Sequence, residues 1–406
     1  MEKSNLNISI SFFLIIQITF SAFIIYLSRI GLDNELNSII RAVGLSYFIV
    51  LFPFAFNNFY NLKYKKVLNI PILSLTVIFF TCFLGLINNY FSFKLNQIYF
   101  LLGFLLLFYY LFYNIKNIKI NKKNLFLLFF SIIFSFFITS VYYGNQYTHP
   151  LMVEKIINGS WAHRDSLYHA SIAGIFKTYL YVGTGIDGFV PHYYHTLSHS
   201  LFALISNVIK VNTLDFYSIF FPILITPIFL MFFLYSVLEV SKFFGKKNHF
   251  KILEEKSIFL WPCLYIFFAL PINSNILPEK YQYLQSQSYA VALAIFFITV
   301  NIFFYYINNQ LFILNKKRQD LSFYFYPIII LILAACSSYS KVSFFYFFTV
   351  IFFYFFLRLK LFKIKFFLLL LAFWLFFVIL LYLNVLNFFD GRDIFIENTY
   401  SIDAAY

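Results

Sequence analysis

Charge is what this sequence has least of. Charged residues fill 11% of its 406 positions, against about 25% in a soluble domain. Hydrophobic residues fill 62%, more apolar surface than a soluble chain of this length can hide. Runs of about 20 apolar residues recur, each long enough to cross a hydrocarbon core of roughly 30 Å. A soluble globular fold is excluded. The fold class that follows is all-α, a polytopic transmembrane helical bundle of about eleven spans, with short amphipathic helices in one long outer loop.

Cysteine is nearly absent too. Cys82, Cys263 and Cys336 each sit inside an apolar run. Their spacing suits neither a disulfide framework nor a thiolate metal site, so they read as packing residues. No H-E-x-x-H motif marks a zinc protease, and no soluble-type repeat is visible. The first apolar run lacks an A-x-A cleavage pattern, which predicts a retained span and not a removed signal peptide.

What charge there is lies in the connections. The expected spans are 8–28, 41–58, 67–87, 98–115, 125–143, 216–240, 257–276, 288–308, 322–340, 342–358 and 366–388. Segment 196–210 is apolar but short, and reads as a helix lying against the membrane or dipping into it. Twenty of the 30 basic residues fall near the N-terminus or in connections 59–66, 116–124, 241–256, 309–321 and 358–365. All of these lie on one side of an eleven-span arrangement. The positive-inside rule makes that side cytoplasmic, so the net charge of +14 is a topology signal and predicts no nucleic-acid partner. The chain divides into a five-span region 1–143, an outward loop 144–215, a six-span region 216–388 and an outward polar tail 389–406. The tail ends in S-I-D-A-A-Y without a closing element, the pattern of a truncated chain or a missing outer domain.

The outward loop holds the chemistry. His163, His169, His192, His195 and His199 are five of the seven histidines, and Asp165 and Asp187 lie among them. Asp165, His169, Ile172 and Phe176 share one helical stripe. Gly183, Gly185 and Gly188 are expected to break that helix, and Pro191 to start another. On the second helix His192, His195, His199 and Ser206 share a face. Packed as a hairpin, the two stripes would converge. Two readings stand side by side: a polar loop at a membrane surface, or a site. As a site, Asp165, His169, His192 and His199 form a donor set for a divalent cation such as Mg, Mn or Zn. Asp165, or a histidine such as His195, is a candidate general base.

Other polar residues at membrane depth are expected to meet substrate. Lys341, in the serine-rich C-S-S-Y-S-K-V-S-F, is expected at an outward junction and suits a lipid phosphate. Arg164, Lys177, Asp187 and Glu279 complete the substrate-binding set.

The segments D-S-L-Y-H-A-S-I-A at 165–173 and H-Y-Y-H-T-L-S-H at 192–199 place a carboxylate beside the membrane, followed by histidine-bearing helices. This resembles the GT-C class of integral-membrane glycosyltransferases. The resemblance implies an outer-loop carboxylate acting as catalytic base or metal ligand, here Asp165. It implies a polyprenyl-phosphate sugar donor, a glycan or lipid acceptor, and a place in the cell envelope, in a bacterial inner membrane. An O-antigen-type polymerase or ligase is a rival reading; it leans on outer-loop arginines, and Arg164 is the one arginine in 144–215. A transporter or flippase predicts charge at mid-span. A non-catalytic membrane protein predicts no convergence of the loop residues.

Overall fold

The computed structural model describes residues 2–28, 36–64, 69–88, 94–115, 129, 132–133, 164–183, 196–245, 287–309, 321–341, 343–358, 361 and 364–383. Within them the fold is all-α. In chain order the helices are α1 (Glu2–Ser28), α2 (Leu36–Tyr64), α3 (Ile70–Ile87), α4 (Leu95–Ile115), α5 (Arg164–Tyr179), α6 (Thr196–Ile209), α7 (Phe221–Gly245), α8 (Gln287–Asn309), α9 (Leu321–Ser340), α10 (Phe344–Arg358) and α11 (Lys365–Leu383). Seven of them, α1–α4, α7, α8 and α11, are long and apolar enough to cross a bilayer. These seven correspond to seven of the eleven expected spans; the full count of about eleven is not shown among the described residues. Thr196–Ile209, Tyr324–Ser340 and Phe344–Arg358 are apolar but shorter. Expected spans 125–143 and 257–276 and the tail 389–406 fall outside the described residues, apart from Phe129, Ile132 and Ile133.

Lipid offers backbone amides no partners, so each span must satisfy its own, and this favours helix over every open alternative. The same condition tolerates proline where neighbours compensate; Pro53, Pro227 and Pro327 lie inside α2, α7 and α9. At the start of α3, Asn69 Oδ1 accepts from the Ile72 amide at 3.3 Å, and Pro71 occupies the first turn, where its missing N–H costs nothing.

Hydrophobicity cannot hold apolar helices together in lipid, so close packing and interhelical hydrogen bonds do it. A Cβ on Gly103 would lie 1.9 Å from the Gly44 carbonyl oxygen; α4 and α2 therefore touch backbone to backbone. Ser46 Oγ donates to the Ile223 carbonyl at 2.7 Å, Asn301 Nδ2 to the Tyr235 carbonyl at 2.8 Å and Ser337 Oγ to the Ala292 carbonyl at 2.8 Å. Each such bond contributes about 0.6 kcal/mol.

These bonds also fix which helix ends lie together. Tyr235 donates to Asn7 at 2.7 Å, Asn69 to Asn301 at 3.2 Å, and Phe355 packs on Phe243. Hence Lys63, Lys242 and Arg358, which end α2, α7 and α10, gather at one end of the bundle. At the opposite end Arg41 of α2 donates to the Ile209 carbonyl at 3.1 Å, and Asn207 of α6 to the Gly85 carbonyl of α3 at 2.8 Å. Helices α5 and α6 pack against each other at this second end.

Candidate functional site

Helix α6 is amphipathic in an unusual sense. Its buried face carries His199, Ser198 and Ser206 together with Phe202, Ala203, Ile205 and Val208. It packs against α3, α5, α8 and α9. The close approach to α3 depends on Gly85: a Cβ there would sit 2.6 Å from the Leu204 carbonyl oxygen.

The chain leaves α6 through a tight turn. Lys210 takes φ 55°, its amide donates to the Asn207 carbonyl at 3.3 Å, and the Val211 amide donates to the Ser206 carbonyl at 3.0 Å. This is the double hydrogen bond of a helix stop that glycine usually fills. Asn212 then caps a short turn by accepting from the Asp215 amide at 2.6 Å. A π-helical stretch, Phe216–Phe220, follows directly and runs into α7. Wide turns of this kind cluster at functional sites. The short path brings Tyr217 back beside α6, where Phe202 meets its ring edge-on at 4.8 Å.

Helix α5 stops at Tyr179, and Leu180 adopts φ 56° with its amide bonded to the Phe176 carbonyl at 2.8 Å. The break comes three residues before Gly183, so the glycines are not what ends this helix. Lys177 reaches from the last turn of α5 to the Val211 carbonyl at 2.7 Å. Burial lowers its pKa from the ordinary lysine value. The hydrogen bond and the half-buried stem tie α5 to the turn after α6.

Where the two helices face each other, His169 Nδ1 and His199 Nε2 meet at 2.8 Å. Their ring centres lie 5.0 Å apart, with the planes inclined by 29°. His199 is fully buried and His169 half-buried. Tyr217 stacks beyond His169 at 6.5 Å, with an interplanar angle of 10°, and Tyr168 meets His169 edge-on. In this contact one nitrogen donates and the other accepts, the tautomers deciding which. Two bases therefore share one proton in a largely dry setting. Such a pair can accept a proton at one ring and release it from the other, as general acid–base chemistry requires. Both imidazoles are also of the donor type that divalent cations take, but at 2.8 Å the two nitrogens are too close to share one, and the rings would have to part to bind it. No group of three metal-ligating side chains occurs among the described residues.

The hairpin convergence expected from the sequence thus brings His169 to His199. Arg164 and Asp165 lie in the first turn of α5, and Asp165 precedes His169 by one helical turn. His163, Asp187, His192, His195 and Glu279 lie outside the described residues. Lys341 stands just past the end of α9, its amide bonded to the Ser337 carbonyl at 3.0 Å. The neighbouring serines are engaged in packing: Ser337 bonds to Ala292, and Ser338 to the Ala334 carbonyl at 2.8 Å. Tyr217, Arg41 and Gly85 were not singled out by sequence patterns. Arg41 carried a signal, a charge at the start of an apolar run. Tyr217 and Gly85 carried none.

No family model, no curated protein and no solved structure matches this chain. It is a polytopic α-helical membrane protein with a histidine pair set into one end of its bundle.

Proposed function

We propose that this chain is an integral-membrane glycosyltransferase of the GT-C kind, working at the α5–α6 end of the bundle with a lipid-linked sugar. The reading takes that end as the outer face on the positive-inside expectation, with Lys63, Lys242 and Arg358 at the opposite end. The observation that carries the reading is the 2.8 Å contact between His169 and His199, on two helices whose sequence also supplies Asp165 one turn before His169.

Transfer requires the acceptor hydroxyl to lose its proton as its oxygen bonds to the sugar's anomeric carbon. The bond from that carbon to the lipid phosphate breaks, and the phosphate leaves with the electron pair. Asp165 takes the proton, and His169 and His199 relay it away. His195 is the second candidate for the base. In the alternative form of this reading Asp165, His169, His192 and His199 would instead hold a divalent cation, in place of the proton relay, and it would screen the charge of the leaving phosphate. Arg164, Asp187 and Glu279 serve as contacts to donor or acceptor. Lys341 suits the phosphate, because it follows α9 and α9 packs against α6. Lys177 is bonded to Val211 and supports the site from the side.

The test is cellular. Asp165→Asn and His199→Ala are expressed at wild-type level and surface glycans are compared by mass spectrometry. Each variant is expected to lower the output of one glycan by about 10²–10⁴-fold, the usual worth of acid–base catalysis. Unchanged glycans with the protein present would remove the enzyme reading.

A further inference from the structure

The end of the bundle opposite the histidines holds an open-sided apolar slot between α8, α9, α10 and α11, lined by Phe303, Ile330, Phe352, Phe355, Phe367 and Trp374 among others. A second slot, between α7, α8 and α10, shares Phe303, Phe352 and Phe355 with the first. The two slots adjoin at these three aromatics and together are called the groove. Its polar neighbours are turned away from it: Trp374 Nε1 donates to Thr349 at 2.9 Å, and Ser236 Oγ to the Phe232 carbonyl at 2.7 Å.

The groove closes at Leu361, which is buried in the connection from α10 to α11. Exposed cations flank that closure. Arg358 ends α10 three residues earlier, and Lys365 opens α11 four residues later. The guanidinium lies over the Tyr354 ring, 5.5 Å from its centre. Of the acidic side chains described, Glu239 is bridged to Lys242 and Asp215 belongs to the other end. Among the described residues, exposed positive charge therefore stands at the Leu361 end of the apolar slot.

We propose that this groove binds an anionic diacyl phospholipid, with an acyl chain along Phe303, Phe352 and Phe355 and the phosphate on Arg358 and Lys365. Bulk lipid is as apolar as the groove, so burying a tail gains little by itself. Selectivity has to come from the headgroup charge, and basic pockets between spanning helices are where anionic headgroups lodge. The site is separate from the histidine pair and does not depend on the transferase reading.

The experiment uses the full chain in detergent, offered equal amounts of dioleoyl phosphatidylglycerol and dioleoyl phosphatidylcholine, with retained lipid counted by native mass spectrometry. Phosphatidylglycerol is expected to be retained preferentially. Dihexanoyl phosphatidylglycerol, which has the head without the long tails, is expected not to displace it. Arg358→Gln and Lys365→Gln should each lower retention about fivefold, and together about 25-fold, from roughly 1 kcal/mol per basic group. Both positions are exposed, so these variants keep the fold. Ile330→Phe, which fills the slot, should lower retention of both lipids. Equal retention of the two headgroups, indifference to the paired charge removal, or stronger retention of farnesyl phosphate than of phosphatidylglycerol would overturn the assignment.

Discussion

Helices α6 and α11 are opposites. The apolar span of α11 runs 19 residues at a mean hydropathy of 2.9, yet 17% of its best window is buried. Its Phe373, Phe376 and Ile379 are more than half exposed. Helix α6 is 14 residues long with polar groups among its apolar ones, and its His199, Phe202 and Ala203 are wholly buried. In water the more apolar helix would be the inner one. In lipid, large apolar side chains are already at home outside, and small or hydrogen-bonding residues mark the interior. Hydropathy finds the membrane; it does not find the core.

The comparison can be broken at α6 first. Gly85→Ala would press a Cβ against the Leu204 carbonyl oxygen at 2.6 Å. Rigid backbone has to shift, costing about 1–3 kcal/mol and displacing His199 from His169. On the proposed transferase reading, glycan output should fall by up to about 100-fold, the cost of an ångström-scale misplacement in a site. Thermal unfolding in detergent and surface-glycan analysis read the two effects separately. A smaller effect is expected where α11 does reach the interior. Trp374→Phe removes a hydrogen bond to Thr349 and some buried volume, and should lower stability by about 1–2 kcal/mol in the same melt with output unchanged.

Lys177 tests the α5–α6 tie through pH. Its pKa is lowered in the folded protein because burial disfavours the charge. Between that lowered value and the ordinary 10.5, the unfolded chain binds more protons than the folded one, so this group's contribution makes stability rise with pH. Lys177→Met should flatten that rise in melts run on the alkaline side, up to pH 10.5. Smallest of all, Phe373→Leu on the lipid face of α11 should move the melt by no more than about 0.5 kcal/mol. A large loss there would mean that α11 is a packed helix after all.

The sequence made seven of the spans and the two short helices legible, because each rests on a local pattern of apolar length or helical spacing. It also supplied His169 and His199, as members of larger stripes. It could not say that these two would meet. That depends on α6 approaching α3 at Gly85 and on the turn through Lys210, both set by tertiary packing. Leu180 and Lys210 take a backbone conformation that favours glycine, so no residue type announced those helix ends. Tyr217 was hidden inside an apolar run that periodicity reads as continuous α-helix. The proposed phospholipid groove is assembled from five helices, α7 to α11, and single-helix patterns have no view of it.

The most direct measurement is a double-mutant cycle on His169→Ala and His199→Ala, read as glycan output at matched expression. If the two imidazoles act as one proton-sharing unit, each single variant should cost nearly as much as the pair, since residues that act together are strongly non-additive. Independent, multiplying losses, or output unaffected by either change, would contradict the account.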